Sequence, residues 1–311
     1  MNRKSKVFVP VMLTPFHENG SVDYDALTKL TEFYLEAGAG GLFANCQSSE
    51  MFFLSDKERL AITRHVVNVA AGAVPVVAAG TFEGTVEQQA DFVKEMYDTG
   101  IAAVITITGT IAAESESEDV FNERFDKLLN LTPGIPLGFY ECPHPYKRLL
   151  SLNQISRFVD TGRIIYYKDT CLDINTVRSR LQVTQTAPAF GLYDAYMVNA
   201  VESLKAGAAG LSCIQGNYFP ELVVWLCDNY DDASKAEDVA RVQQFFISNM
   251  EVMHAVYPVV AKYFLHRRGL TISSYTRVPA GTFSNEVRTR IDSLYNDYIR
   301  LSDEIALVPV A

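Results

Sequence analysis

One phrase recurs along this chain: an amphipathic helical stretch, a glycine that ends it, and a short apolar segment of strand length. The glycines are Gly38, Gly72, Gly100, Gly134, Gly162 and Gly207, each where a left-handed helix C-cap would turn the chain into a sheet. The strands that follow read as 41–44, 74–79, 103–108, 136–140, 164–168 and 210–214. A first strand over 7–14 opens the series, and another over 189–192 is introduced by Pro188 in place of glycine, which makes eight.

Helix starts are marked as clearly as helix stops. Ser55-Asp56-Lys57-Glu58, Thr85-Val86-Glu87-Gln88 and Ser151-Leu152-Asn153-Gln154 read as capping boxes. Apolar residues recur at helical spacing, as in Leu27, Leu30, Phe33 and Tyr34. Strands apolar on both faces and alternating with helices imply a parallel sheet covered by helices. Eight such units predict an α/β fold, a (β/α)8 TIM barrel, over an open doubly wound sheet. The chain after Tyr218 reads as helical and strandless, with a last helix near 285–304. We therefore expect a barrel core over 1–217, and over 218–311 the final barrel helix and a C-terminal helical extension of the same structural unit.

Composition excludes several function classes. A net charge of −10 argues against nucleic acid or an anionic membrane as partner. No run of about 18 uninterrupted apolar residues exists to span a bilayer. Five cysteines without a C-x-x-C pair suit a reducing cytoplasm better than a disulfide framework. The basic start Met1-Asn2-Arg3-Lys4-Ser5-Lys6 leads into a short apolar stretch broken by Pro10 and Pro15, so no signal peptide is expected. No strand is followed by G-x-G-x-x-G or G-x-x-x-x-G-K, and the five histidines lack metal-ligand spacing. No cofactor and no metal are expected.

In a barrel of this kind, function sits at the C-terminal ends of the strands. The fifth strand ends on Tyr140 and the sixth on Lys168, inside Ile164-Ile165-Tyr166-Tyr167-Lys168-Asp169-Thr170. A lysine drawn into an apolar barrel loses hydration, which favours the neutral amine and makes it a nucleophile. A phenol beside it can move the protons that carbonyl chemistry needs. Strand periodicity puts Ile164, Tyr166 and Lys168 on one face, and Pro136, Gly138 and Tyr140 on one face of the neighbouring strand. Gly138 is expected to leave space beside Tyr140. The second strand runs into Cys46-Gln47-Ser48-Ser49-Glu50, where Gln47, Ser48 and oriented backbone N–H groups suit a carboxylate. The eighth runs into Ser212, a further substrate-binding candidate.

Other residues earn blander readings. Glu141 and Asp169 alternate with Tyr140 and Lys168 and should point away from the interior. His144 reads as a solvated loop residue and Cys46 as a small filler. The run Glu114-Ser115-Glu116-Ser117-Glu118-Asp119 reads as the acidic first turn of a helix.

Taken in order, these motifs resemble the Schiff-base-forming aldolases and lyases that include dihydrodipicolinate synthase and N-acetylneuraminate lyase. The resemblance covers nearly the whole chain. It is carried by Thr14-Pro15-Phe16 with Asn19-Gly20-Ser21-Val22-Asp23, and by Leu54-Ser55-Asp56-Lys57-Glu58-Arg59. It continues through Tyr140 with Pro143, Lys168-Asp169, Gly207-Ala208-Ala209-Gly210, Asn217 and Arg277-Val278-Pro279. It implies that Lys168 condenses with the ketone of a pyruvate-like 2-oxo acid, that Tyr140 shuttles protons, and that the turn after the second strand holds the carboxylate. An aldehyde is the implied second partner, and a homo-oligomer, tetramer or dimer, the implied assembly.

The departures narrow the activity. The family turn reads Gly-Thr-Thr-Gly-Glu or Gly-Ser-Thr-Gly-Glu; here Ser48 keeps the second hydroxyl, Gln47 replaces the first and both glycines are gone. The synthase's relay tyrosine after the fourth strand is matched by Ile111, and its arginine for the second substrate's carboxylate falls at Pro145. Dihydrodipicolinate synthesis is therefore not expected, and no role is carried to Asp194. Three readings remain: an aldolase or lyase of a 2-oxo acid, a dehydratase of a sugar-derived 2-oxo acid using the same lysine and tyrosine, or a non-catalytic binding or regulatory member.

Overall fold

The computed structural model describes residues 5–310; Met1 to Lys4, the first four residues of the basic start, lie outside the described residues. Eight strands form one parallel sheet: β1 (Val7–Phe8), β2 (Leu42–Asn45), β3 (Val76–Ala79), β4 (Ala103–Ile107), β5 (Leu137–Tyr140), β6 (Ile164–Asp169), β7 (Gly191–Asp194) and β8 (Gly210–Leu211). Their order is β1-β8-β7-β6-β5-β4-β3-β2. The two ends of that order meet. The Phe43 N–H donates to the Pro10 carbonyl at 3.0 Å and the Met12 N–H to the Phe43 carbonyl at 3.1 Å, so the segment after β1 bridges to β2. This is the curled parallel sheet that a (β/α)8 barrel requires.

The helices lie in the connections: α1 (Tyr24–Glu36), α2 (Asp56–Ala70), α3 (Val86–Tyr97), α4 (Thr108–Ile111), α5 (Glu118–Leu131), α6 (Leu152–Val159), α7 (Ile174–Val183) and α8 (Ala200–Ala206). After β8 come α9 (Pro220–Asn229), α10 (Ala236–Ser248), α11 (Met250–His254), α12 (Val259–Arg267) and α13 (Asn285–Glu304). All six helix-stopping glycines have positive φ, between 71° and 114°. A side chain there would meet a steric cost that glycine escapes. The three capping boxes are formed, at Ser55/Glu58, Thr85/Gln88 and Ser151/Gln154.

Alternation along the strands divides the apolar residues in two. Val11, Phe43, Val77, Ile105, Ile107, Tyr140 and Tyr166 fill the interior of the sheet. Leu42, Val76, Val104, Phe139 and Tyr167 face outward to the helices.

Four expectations need correction. The first strand is shorter than 7–14, because Pro10 has no N–H to give and the chain pairs with β8 on one side before it bridges to β2 on the other. The seventh runs over Gly191–Asp194, two residues later than expected. Ile164 does not share a face with Lys168: the register of β5 on β6 shifts between Leu137 and Gly138. Ile164 then packs outward and Ile165 against the interior set. Finally, only Glu118 and Asp119 of the acidic run lie in the first turn of α5, whose N-cap is Ser117.

Candidate active site

Tyr140 and Lys168 end neighbouring parallel strands and stand opposite each other in the ladder. The Lys168 Nζ lies 4.2 Å from the centroid of the Tyr140 ring and 6.0 Å from that of Phe43. It is 4% exposed, and among the described residues no carboxylate pairs with it. Burial pulls its pKa below the ordinary lysine value, which enlarges the neutral, nucleophilic fraction. The Tyr140 hydroxyl donates to Gln47 Oε1 at 3.3 Å. Burial, with Cys142 and Cys46 nearby, raises the phenol well above its usual pKa, so it rests protonated. Gly138 opens no gap here: a Cβ on it would meet Ile105 Cδ1 at 2.6 Å and the Tyr166 carbonyl at 2.8 Å. Glycine is needed for this close packing.

The next residue on each strand points the other way, as the period of two demands. Glu141 and Asp169 are fully buried outside the sheet, and one residue of α7 joins them. The Arg180 guanidinium donates to Glu141 at 2.7 and 2.9 Å and to Asp169 Oδ2 at 2.5 Å. The Tyr167 hydroxyl adds a bond to Glu141 Oε1 at 2.6 Å. One buried cation therefore clamps the two strand ends that present Tyr140 and Lys168. Asp194 ends β7 opposite Asp169. Burial raises its carboxyl to about 7, opposed by the Tyr196 N–H.

The turn after β2 folds without either glycine. Gln47–Ser49 form a single 3₁₀ turn, and Glu50 takes the left-handed conformation at φ 60°. The Ser49 hydroxyl donates to the Met12 carbonyl at 2.7 Å and accepts from the Cys46 N–H at 3.1 Å. The Glu50 carboxylate accepts from Lys262 Nζ at 2.8 Å and from the Arg277 and Val278 N–H groups at 2.6 and 2.9 Å. Arg277 also donates to Glu58 at 2.6 Å and to the Gly20 carbonyl at 2.8 Å. Motifs far apart in the chain thus meet to hold this turn.

The structure brings Lys168, Tyr140 and Gln47 together, with Ser48 in the same buried turn. Ser212 also faces the interior, but its hydroxyl accepts from Tyr166 at 3.0 Å. His144 is exposed and packs edge-on against Phe52. Ile111 is buried and brings no hydroxyl. A cleft of about 1330 Å³ opens beside the site, walled by Gln47, Phe52, Arg59, Phe82 and Pro145 among others. Lys168 and Tyr140 are not part of its wall, so Gln47 is where cleft and lysine site adjoin.

Two contributors escaped the sequence reading. Arg180 could have been suspected, because it lies three residues after Val177 and so on the buried face of α7. Tyr257, in the turn between α11 and α12, accepts from Asn217 Nδ2 at 2.7 Å, and Asn217 in turn donates to the Val11 carbonyl at 3.0 Å. Nothing local in the sequence marks it. Among the described residues, no group of three His, Cys, Asp or Glu side chains is placed to hold a metal ion. No helix is long and apolar enough to cross a membrane.

The same arrangement has relatives. A 4-hydroxy-tetrahydrodipicolinate synthase of Shewanella pealeana is 23% identical over 282 residues, covering 89% of this chain and 92% of that protein. Among solved structures, a monomeric dihydrodipicolinate synthase variant superposes with a TM-score of 0.85 at 18% identity, over 94% of this chain and 96% of that one. YagE of E. coli K12, a prophage protein of the dihydrodipicolinic acid synthase family solved with pyruvate, superposes at 0.84 and 20% identity, over 94% and 98%. The sequence also matches the dihydrodipicolinate synthetase family over residues 4–297, nearly its whole length. With strand-end lysine and tyrosine in register on a curled eight-stranded sheet, the chain belongs to the dihydrodipicolinate synthetase family.

Proposed function

We propose that this protein is a Schiff-base-forming aldolase or lyase acting on pyruvate or a related 2-oxo acid through Lys168. The observation that carries the reading is the buried Lys168 amine without a carboxylate partner, 4.2 Å from the ring of Tyr140. Family membership supports it, as does the likeness of the fold to a protein solved with pyruvate. The neutral amine attacks the ketone carbon, and loss of water gives an iminium. That iminium accepts the electron pair of the bond between its α and β carbons as that bond breaks, leaving an enamine, and the same enamine is the nucleophile when the bond forms. Tyr140, protonated at rest, donates and recovers the proton at carbon. Ser48 and the backbone of its turn receive the substrate carboxylate, with Gln47 and Ser212 at the edges of the binding space.

Lys168 is also the residue a dehydratase of a sugar-derived 2-oxo acid would use, and turnover products separate the two. The test is borohydride trapping with pyruvate, read by mass on the peptide carrying Lys168. A reduced adduct on wild type and none on a folded Lys168→Ala variant are expected. Binding of pyruvate without any adduct would support a non-catalytic member instead.

A further inference from the structure

The cleft that adjoins the lysine site is walled by residues that follow the C-terminal ends of strands: Gln47 and Phe52 after β2, Phe82 after β3, Thr110 after β4 and Pro145 after β5. This is the end of the sheet where Tyr140 and Lys168 stand. Its apolar surface is organised. Phe82 meets Phe52 edge-on at 5.9 Å and Phe92 edge-on at 5.7 Å between ring centroids. Gln89 Nε2 donates to the Phe82 and Thr110 carbonyls at 2.8 and 3.0 Å, so the ring cluster and the segment after β4 form one rim. Phe52 is 36% exposed, which leaves its ring open to a molecule in the cleft.

The charges on the same wall are unsuited to an anion. Its carboxylates are Glu50, Asp56, Glu83 and Glu116, and its guanidinium groups are Arg59 and Arg124. Arg59 is held by Asp56 at 2.6 Å and by the Met51 carbonyl at 2.9 Å, with its guanidinium carbon 3.7 Å from the centre of the Phe82 ring. Arg124 donates to both oxygens of Glu116 at 2.7 Å. A carboxylate or phosphate entering here would lose hydration, meet an excess of negative charge and find both guanidinium groups already paired. A ring or alkyl group would instead bury apolar surface against Phe52 and Phe82.

Gln47 joins this wall to the lysine. Its Oε1 accepts from the Tyr140 hydroxyl at 3.3 Å and from Cys142 Sγ at 3.7 Å, and its Nε2 has no partner among the described residues. The side chain is half-buried and reaches the cleft, so its N–H groups are available to an acceptor there. We propose that the second substrate is an uncharged aldehyde with an apolar body, lodged against Phe52 and Phe82, and that Gln47 Nε2 holds its carbonyl oxygen beside Tyr140. Resting on the Lys168 reading, this assignment names the second partner of the same site. In the condensation, the enamine carbon forms the new C–C bond with the aldehyde carbon while the carbonyl π pair moves to oxygen. Gln47 stabilises the charge that gathers on that oxygen, and the Tyr140 hydroxyl gives it a proton. Water adding to the resulting iminium returns a proton to Tyr140, and collapse of the carbinolamine frees Lys168 and a 4-hydroxy-2-oxo acid. Cleavage retraces these steps.

The test gives the full chain pyruvate with one of three aldehydes and measures the condensation product by mass. The aldehydes are benzaldehyde, apolar and uncharged; glyceraldehyde, polar and uncharged; and succinic semialdehyde, which is anionic. Benzaldehyde should exceed glyceraldehyde by about 10-fold in kcat/KM and succinic semialdehyde by about 10²-fold. Gln47→Met keeps the length and removes the amide, and its kcat with benzaldehyde should fall by about 10²-fold, in line with a lost oxyanion donor. That fall should exceed any change in the rate of the pyruvate adduct on Lys168, which a general loosening of the turn would slow as much. Phe52→Arg puts an unpaired cation in the wall and should move the preference toward succinic semialdehyde by about 10-fold. This second variant decides the matter if the Gln47 variant fails to fold by circular dichroism. A wild-type preference for glyceraldehyde or succinic semialdehyde, or a pyruvate adduct with no aldehyde consumed, would overturn the assignment while leaving the Lys168 reading intact. If wild type itself forms no adduct with pyruvate, the Lys168 reading fails and the assignment falls with it.

Discussion

At the scale of single residues, the site is built from groups whose ordinary chemistry is changed by burial. Lys168 loses hydration and with it part of its preference for the ammonium form. Tyr140 is pushed the other way and holds its proton. Tyr140→Phe should therefore lower turnover of the identified substrate by about 10²–10⁴-fold, the usual contribution of a positioned acid–base group, and leave carboxylate binding largely unchanged. Steady-state kinetics with KM and kcat separated checks this, and a wild-type kcat would remove Tyr140 from the mechanism. Asp194 is a residue whose charge opposes folding. Its carboxyl is raised to about 7 from an ordinary 3.8, so between about pH 4 and 7 the folded state holds more protons than the unfolded one. Stability then falls as pH rises through that window, by something of the order of 4 kcal/mol at most. Asp194→Asn should flatten this slope and raise stability at pH 8. Denaturant titrations at pH 4, 6 and 8 measure it, and equal slopes in both proteins would refute it.

At the scale of elements, the question is how two strands are kept in step. Tyr140 and Lys168 meet because β5 and β6 are paired at their ends, and the Arg180 clamp from α7 makes that pairing costly to disturb. Removing the guanidinium would leave two buried carboxylates without their cation. Arg180→Leu should cost roughly 3–5 kcal/mol, the range for breaking a buried pair from one side. The adduct rate on Lys168 should fall with it, although Arg180 touches no substrate. Urea unfolding and trapping kinetics on the same variant decide this; unchanged stability would mean that the clamp is ornamental. The register shift at Leu137–Gly138 belongs to this scale as well. It lets Tyr166 face inward two residues before Lys168, stacked on Tyr193 at 4.5 Å.

At the scale of the whole molecule, the C-terminal helices hold the site from outside the sheet. Lys262 of α12 and the backbone at Arg277 and Val278 converge on Glu50, which closes the turn carrying Gln47 and Ser48. Lys262 and Glu50 are both buried, so Glu50→Gln leaves a cation without its partner. A loss of about 3–5 kcal/mol is expected. Pyruvate adduct formation should weaken too, because the turn is no longer anchored. Residues 1–217 and 218–311 are proposed to unfold as one unit. Trp225, the sole tryptophan, lies in α9 and reports on the second segment. Its fluorescence transition in urea should coincide with that of far-UV circular dichroism, and two separated transitions would divide the chain.

Much of this architecture was legible in the sequence because it depends on local rules. Helix stops require φ values open to glycine, capping boxes bond within four residues, and strand alternation is a period of two. Those rules place Lys168 and Tyr140 at strand ends, and Glu141 and Asp169 on the opposite face. What the sequence could not specify are contacts between residues distant along the chain. The bond from Tyr34 to Asn217 is of this kind, as are Glu50 with Lys262 and Arg180 with Glu141. The family motifs at Gly20, Glu58 and Arg277 could be recognised in the sequence, but their purpose could not: they bond to one another and hold the turn, away from the lysine. The bulge that turns Ile164 outward was equally invisible, since a one-residue slip depends on which neighbouring strand the ladder pairs with. Local chemistry chose the nucleophile and its neighbour. The partners that hold and serve them were decided only when the folded sheet and the C-terminal helices came together, because hydrogen bonds and buried charges are satisfied in space and not in order along the chain.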